Sequence, residues 1–394
     1  MDLQEAPRVE KYLLKGNLDD GELILASELD ENPKDDQLRF GLGMLQFLRA
    51  IEGLAQDLHR YGLRDHSGVG MMGRFLQSPL PANKTPETIS YEKARKIVET
   101  FHQRLTSSEA TLAAITAEDV KLPLHFGMIR LDLTGDRHYS DEESLWKLYA
   151  SRSNNSDIKP ETAEKFLIKF DRGDVHWLRG YCHVFLTFCE VLLAHDTRDM
   201  FERTAHLVFS KVDTPYQFLT KGKHIRSLGR SDIEIMDLIA VIHLISWDVI
   251  EPKRMEAALH HMEAIVEQSR ISWKYIMAET DDDHEWLPNP RQTGVIPNMR
   301  VTEEMVVAWS EIMNESERIL KGELLIPFWR GEEGQGINLR KVFLEPRKFD
   351  LVLWVQGTGA APYVETGALS KGNTWRELRS QFGGNFPGFA IWFN

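Results

Sequence analysis

Met255 to Met277 reads MEAALHHMEAIVEQSRISWKYIM, and its apolar residues recur three and four positions apart. On a helix, Leu259, Met262, Val266, Trp273 and Ile276 share one face, while His260 and the acids Glu256, Glu263 and Glu267 share the other. The stretch is therefore a long amphipathic helix, with His260 and the glutamates in its solvated stripe, and the His260-His261 pair is not expected to be a metal site. The same period runs through Leu38 to Leu58, Ala94 to Leu105, Val175 to Leu193, Ile233 to Val249 and Met305 to Leu320. Helix starts are expected at Thr85-Pro86-Glu87, Pro160-Glu161, Asp174, Ser231-Asp232 and Thr302, and stops at Gly62, Gly322 and Pro288-Asn289-Pro290. The predicted fold class is mainly α, built of helical hairpins or a bundle.

The chain around these helices has 394 residues and a net charge of −13. That length suffices for two or three structural units. A sequence pI near 5.6 sets the mean field against a phosphate polymer, so nucleic acid is not an expected partner. No apolar run approaches the length of a membrane span, and MDLQEAPRVEK at the start is not an export signal. As written, the chain is expected in the cytoplasm; removal of a leader would make it periplasmic or secreted. Cys182 and Cys189, seven residues apart on one helix, would sit roughly 10 Å apart and so are read as reduced core side chains.

Two punctuated stretches, Asp65 to Pro86 and Ser151 to Lys159, interrupt the helical pattern. Residues 1–64 read as a helical start, 87–347 as the helical body and 348–394 as a small β-containing segment packed on it. In that last segment, Phe349 to Val355 and Gly388 to Phe393 are short apolar runs bounded by glycine. They are expected to be strands that pair as a hairpin or small sheet.

Two local resemblances add to this. Gly16-Asn17-Leu18-Asp19-Asp20-Gly21, Leu25, Leu29, Asn32-Pro33 and Phe40-Gly41-Leu42-Gly43 look like the second helix of a tetratricopeptide unit, its proline turn and the next helix. The resemblance spans 16–43 and implies a helical hairpin, serving either as a peptide-binding surface or as a packing unit. The stretch from Asp132 to Glu143, DLTGDRHYSDEE, resembles an EF-hand calcium loop. It implies Ca²⁺ ligation by side-chain oxygens of Asp132, Thr134, Asp136, Ser140 and Glu143 and by the backbone carbonyl of His138. Arg137 stands where that pattern has glycine, because the chain there turns with φ > 0, and Thr134 stands where a carboxylate is usual. The implied loop is thus degenerate, with its calcium bound weakly or the turn kept without it.

Glu279-Thr280-Asp281-Asp282-Asp283-His284-Glu285 follows the quoted helix. Carboxylates at a helix C-terminus face the negative end of the macrodipole and repel one another, so the stretch calls for a compensating cation or a solvated turn. Asp281, Asp282, Asp283, His284 and Glu285, with Arg291 beyond the Pro-Asn-Pro turn, form the second candidate site. Two functions remain open on this reading. One is a non-catalytic helical binding or structural protein with a polypeptide partner; the other is a metal-assisted hydrolase centred on Asp281 to Glu285.

Overall fold

The computed structural model describes residues 6–64, 80–153, 163–164, 166–221, 230–296, 300–382 and 386–393. It is 61% helical, with a few small antiparallel sheets. The helices are α1 (Glu10–Lys15), α2 (Leu18–Glu31), α3 (Asp36–Arg60), α4 (Tyr91–Ala113), α5 (Leu145–Ser153), α6 (Arg172–Ala194), α7 (Arg198–Val208) and α8 (Gln217–Lys221). They continue with α9 (Arg230–Leu244), α10 (Pro252–Ala278), α11 (Glu303–Leu320), α12 (Leu339–Leu344), α13 (Leu351–Gln356), α14 (Gly372–Ser380) and α15 (Phe386–Phe393). The expected breaks at 65–86 and 151–159 lie largely outside the described residues.

Local chemistry sets the helix ends. Thr302 accepts the Met305 N–H at 3.3 Å, opening α11 where the sequence places it. The start expected at Thr85 falls instead at Tyr91, where Ser90 accepts the Lys93 N–H at 3.4 Å. For α6 the cap is Asp171, three residues ahead of the expected Asp174. Asp171 accepts the Gly173 N–H at 2.8 Å and Asp174 reaches back to the Asp171 N–H at 3.0 Å, a reciprocal capping box.

The 16–43 stretch forms a helix, a turn at Asn32 to Asp35 and a second helix, α2 against α3. Gly43 lets α3 and α4 approach closely: a Cβ there would lie 2.5 Å from Leu112 Cδ2, and the Gly43 carbonyl accepts the Ser108 hydroxyl at 2.9 Å. Buried clusters run across the boundaries of the three expected segments. Leu13, Leu25 and Leu45 share one buried cluster with Leu112, Leu122, Phe170 and Leu178, so the N-terminal helices and the body pack as one. A second cluster joins Leu259, Trp273, Ile312 and Phe343 to Phe382, Phe389 and Phe393.

The C-terminal strands need correction. Phe349–Asp350 is a two-residue strand, β3, which pairs with β2 (Ser246–Val249); β2 in turn pairs with β1 (His195–Asp196). The rest of that run is α13, because Asp350 caps it by accepting the Leu353 N–H at 2.9 Å and Gly357, at φ 112°, terminates it. The run ending at Phe393 is α15. Its Phe393 ring packs 4.6 Å from the Trp273 ring and 5.6 Å from that of Trp309, so burial against α10 and α11 decides its form. The two runs do not pair with each other.

Helix α6 lies between α4 and α10 and packs against both. Gly43→Ala would drive a methyl group into Leu112 and is expected to cost about 1–3 kcal/mol of stability. Urea unfolding checks this; a midpoint equal to the wild type would refute the close approach.

Candidate metal centre

In the 132–143 loop the acidic side chains serve their own backbone. Asp132 accepts the N–H groups of Gly135 (2.7 Å) and Arg137 (3.0 Å), and Asp136 accepts that of His138 at 2.7 Å. Glu143 accepts the Leu133 N–H at 3.1 Å, and both the N–H and the hydroxyl of Ser140. Arg137 takes φ 59°, and its side chain is exposed, as is that of His138. The Thr134 hydroxyl is buried without a hydrogen-bond partner. Asp132, Asp136 and Glu143 are not among the described sets of three whose ligand atoms lie within 4.8 Å of one another. The convergence that the EF-hand resemblance implies is therefore not seen among these carboxylates.

Asp132 instead helps line a polar cavity of about 170 Å³ with Asp19, Glu52, Gln56 and Tyr139. Glu52 is buried and accepts the Asp132 N–H at 2.7 Å. Burial pushes its carboxyl up to about 8; the Asp132 N–H offsets this only in part, and the charge of Asp132 adds to it.

The acidic turn after α10 divides. Asp281 pairs with Lys121 at 2.9 Å and Asp283 with Lys169 at 2.5 Å, while Asp282 accepts the Thr293 N–H at 2.7 Å. His284, at φ 65°, is half exposed with Nδ1 3.2 Å from Asp283. Arg291 donates to the carbonyls of Met277 and Glu279 and so caps the end of α10; it does not pair with the acids. Only Glu285 turns inward, where its oxygens come within 4.8 Å of those of Asp171 and Glu279. Burial, with Asp171 alongside, raises the carboxyls of Asp174 and Glu279, and burial raises that of Glu285. Asp174, Glu279 and Glu285 thus keep their protons to higher pH than exposed carboxylates do.

A different arrangement occupies the seam where α6 runs antiparallel to α4 and α10. Polar residues recur a heptad apart on each helix, so they meet in layers. In the first layer, His102 Nε2 lies 2.7 Å from Glu190 Oε1, and Arg254 donates to Glu190 Oε2 at 2.9 Å. In the second, the Nδ1 atoms of His183 and His261 are 3.0 Å apart, His183 Nε2 lies 3.5 Å from Glu109, and Arg179 pairs with Glu109 at 2.8 Å. In the third, His176 Nδ1 lies 2.8 Å from the Gln268 side-chain oxygen, both residues buried.

The ligand atoms of His102, Glu190 and His261 come within 4.8 Å of one another across the first two layers. Burial pushes the His261 imidazole down to about 4, and His183 adds to the effect, so this ring is neutral at pH 7 with a lone pair to offer. For Glu190 burial opposes ionisation, but His102 and Arg254 outweigh it and hold the carboxyl below its usual range. Burial likewise opposes ionisation of Glu109, and His183 with Arg179 holds it down at about 2. With a proton on His261 Nδ1 pointing at His183, and His183 Nε2–H directed at Glu109, the free lone pair of the neutral His261 ring is on Nε2. This is the outer-shell hydrogen bonding that orients metal-bound histidines.

Residues His102, Glu109, His183 and Glu190 carry no local motif, and the sequence reading passed over them. The available signal was the heptad recurrence of His176, His183 and Glu190 inside the apolar Val175 to Leu193 run, matched by Arg254, His261 and Gln268. His260 and Glu256 are exposed, as their helical face required; the adjacent His261 turns into the seam. Compared with models of known protein families, with curated proteins and with solved structures, the chain matches none. Among the described residues, no helix is long and apolar enough to cross a membrane.

Glu52 supplies a test of the electrostatics. The group ionises near 4.5 when unfolded and near 8 when folded, so its contribution to stability is full below pH 4.5 and is lost as pH rises towards 8. Glu52→Gln keeps an oxygen for the Asp132 N–H and removes the titration. Its stability, measured by denaturant unfolding, is expected to fall less than that of the wild type between pH 5 and 8; parallel curves would refute the assignment.

Proposed function

We propose that this chain is a helical metal-binding protein whose ion joins α4, α6 and α10 through His102, Glu190 and His261. The observation that carries this reading is the approach of two imidazoles and one carboxylate, from three separate helices, to within 4.8 Å of one another. Two nitrogens and one oxygen favour a borderline transition ion such as Zn²⁺, Co²⁺ or Ni²⁺ over Ca²⁺ or Mg²⁺, which take oxygen ligands. The proposed role is ligation that fastens three helices, in keeping with a non-catalytic binding or structural protein. Further support comes from the surroundings of the site. Arg254 and the His183–Glu109–Arg179 chain hold Glu190 and His261 in place without occupying every donor atom. The Asp171–Glu279–Glu285 group is the weaker candidate, since burial raises the carboxyls of Glu279 and Glu285 and protons there compete with a cation.

Isothermal titration of chelator-treated protein with Zn²⁺ and Co²⁺ tests the proposal. About one equivalent should bind, stabilising the fold by about 2.7 kcal/mol when free metal is one hundred times Kd. His261→Ala and His102→Ala should abolish binding, whereas Asp132→Ala should leave it unchanged. Absence of binding by the wild type, or equal binding by His261→Ala, would refute the assignment.

A further inference from the structure

Helix α9 turns its apolar face outward. Ile235, Met236, Leu238, Ile239 and Ile242 fall within one face of the helix, and each is at least 40% exposed. Asp237, Ala240, Val241 and Leu244 lie on the opposite, less exposed side, where the charge of Asp237 acts on His206 of α7. This inverts the usual arrangement, in which an amphipathic helix gives its apolar stripe to the core. At its C-terminal end α9 abuts α13, where the Leu351 N–H donates to the Ile245 carbonyl at 2.9 Å. There Val352, Leu353 and Val355 continue the surface, with exposures of 41%, 47% and 69%.

We propose that this face is where a second copy of the chain docks, with α9 of each protomer packed antiparallel across a two-fold axis. Three observations choose that occupant. Ile235, Leu238, Ile239 and Ile242 have the i, i+3, i+4, i+7 spacing by which one helix packs along another, and two-fold pairing matches such a stripe to itself. The stripe of Ile235, Leu238, Ile239 and Ile242 carries no acidic or basic side chain that would select a different charged surface; the exposed His243 borders it, and the nearest acid, Asp237, lies on the opposite side. The area is also sufficient. Taking roughly 180 Å² for a fully exposed large aliphatic side chain, the eight residues offer on the order of 700 Å², close to the ~800 Å² each partner gives to a standard interface. Exposed apolar area of that size on two adjoining helices is more than a monomer usually leaves to water in one patch.

Sedimentation velocity of the full chain from about 1 to 100 μM tests the proposal at near-physiological salt, which screens repulsion between two copies of net charge −13. A concentration-dependent dimer is expected. Leu238→Glu and Ile239→Glu should weaken it at least tenfold and Val355→Glu more modestly, with circular dichroism unchanged because all three positions are exposed. A wild type that stays monomeric at 100 μM overturns the proposal. Dimers unaffected by both α9 substitutions overturn it too, as do assemblies that grow beyond two copies, since two-fold pairing closes at a dimer.

Discussion

The antiparallel contact of α6 with α4 and α10 is the constraint on which the rest of the structure depends. Its interior carries His176, His183, Glu190, Gln268, Glu109 and His261, and burying such groups unpaired costs of order 1–3 kcal/mol each. Each therefore meets a partner on a neighbouring helix: Glu190 meets His102 and Arg254, His183 meets His261 and Glu109, and His176 meets Gln268. Because the polar positions repeat every seven residues on both sides, a slip of one turn along the seam would separate every pair at once. The apolar clusters on either side supply the gross burial energy, and the polar layers specify which register that burial adopts.

The same physics separates the two groups of donors on α6. At its N-terminal end, Asp171, Asp174, Glu279 and Glu285 crowd like charges into a poorly hydrated space. The carboxyls of Asp174, Glu279 and Glu285 rise there, so protons stay on them to higher pH and relieve the repulsion. Further along, each buried carboxylate has a guanidinium beside it, Arg254 for Glu190 and Arg179 for Glu109, and stays ionised. The imidazole of His261 responds to burial in the opposite sense and remains neutral. An ionised carboxylate beside a neutral imidazole is ready to accept a cation; a set of protonated acids must first release its protons.

Loop 132–143 shows how one local pattern serves two ends. A tight turn with oxygen side chains at alternate positions directs those oxygens inward, where either a cation or backbone N–H groups can meet them. Here Asp132 and Glu143 between them accept four backbone N–H groups, and Glu143 takes the Ser140 hydroxyl as well. Arg137, at φ 59°, is exposed and borders the cavity that Asp132 lines. The turn is thereby stabilised through its own hydrogen bonds, and Asp132 is also joined through its backbone to Glu52 and Gln56 of α3.

By itself, the sequence determined the long helices, their solvated faces and the caps at Thr302 and Gly322, because these follow from periodicities and hydrogen bonds within a few residues. It also placed His260 in water correctly, and the turn at Asn32 to Asp35. Tertiary structure decided the rest. The run after Phe349 became α13 through the Asp350 cap and the Gly357 turn, and α15 was fixed by the aromatic cluster it joins; six apolar residues carry no period of their own. The meeting of His102, Glu190 and His261 joins residues more than seventy positions apart in sequence, on helices whose contact is set by which apolar faces pack together. The heptad spacing on α6 and on α10 marks which residues share a face but not which helix that face meets, so the site had to come from the packing.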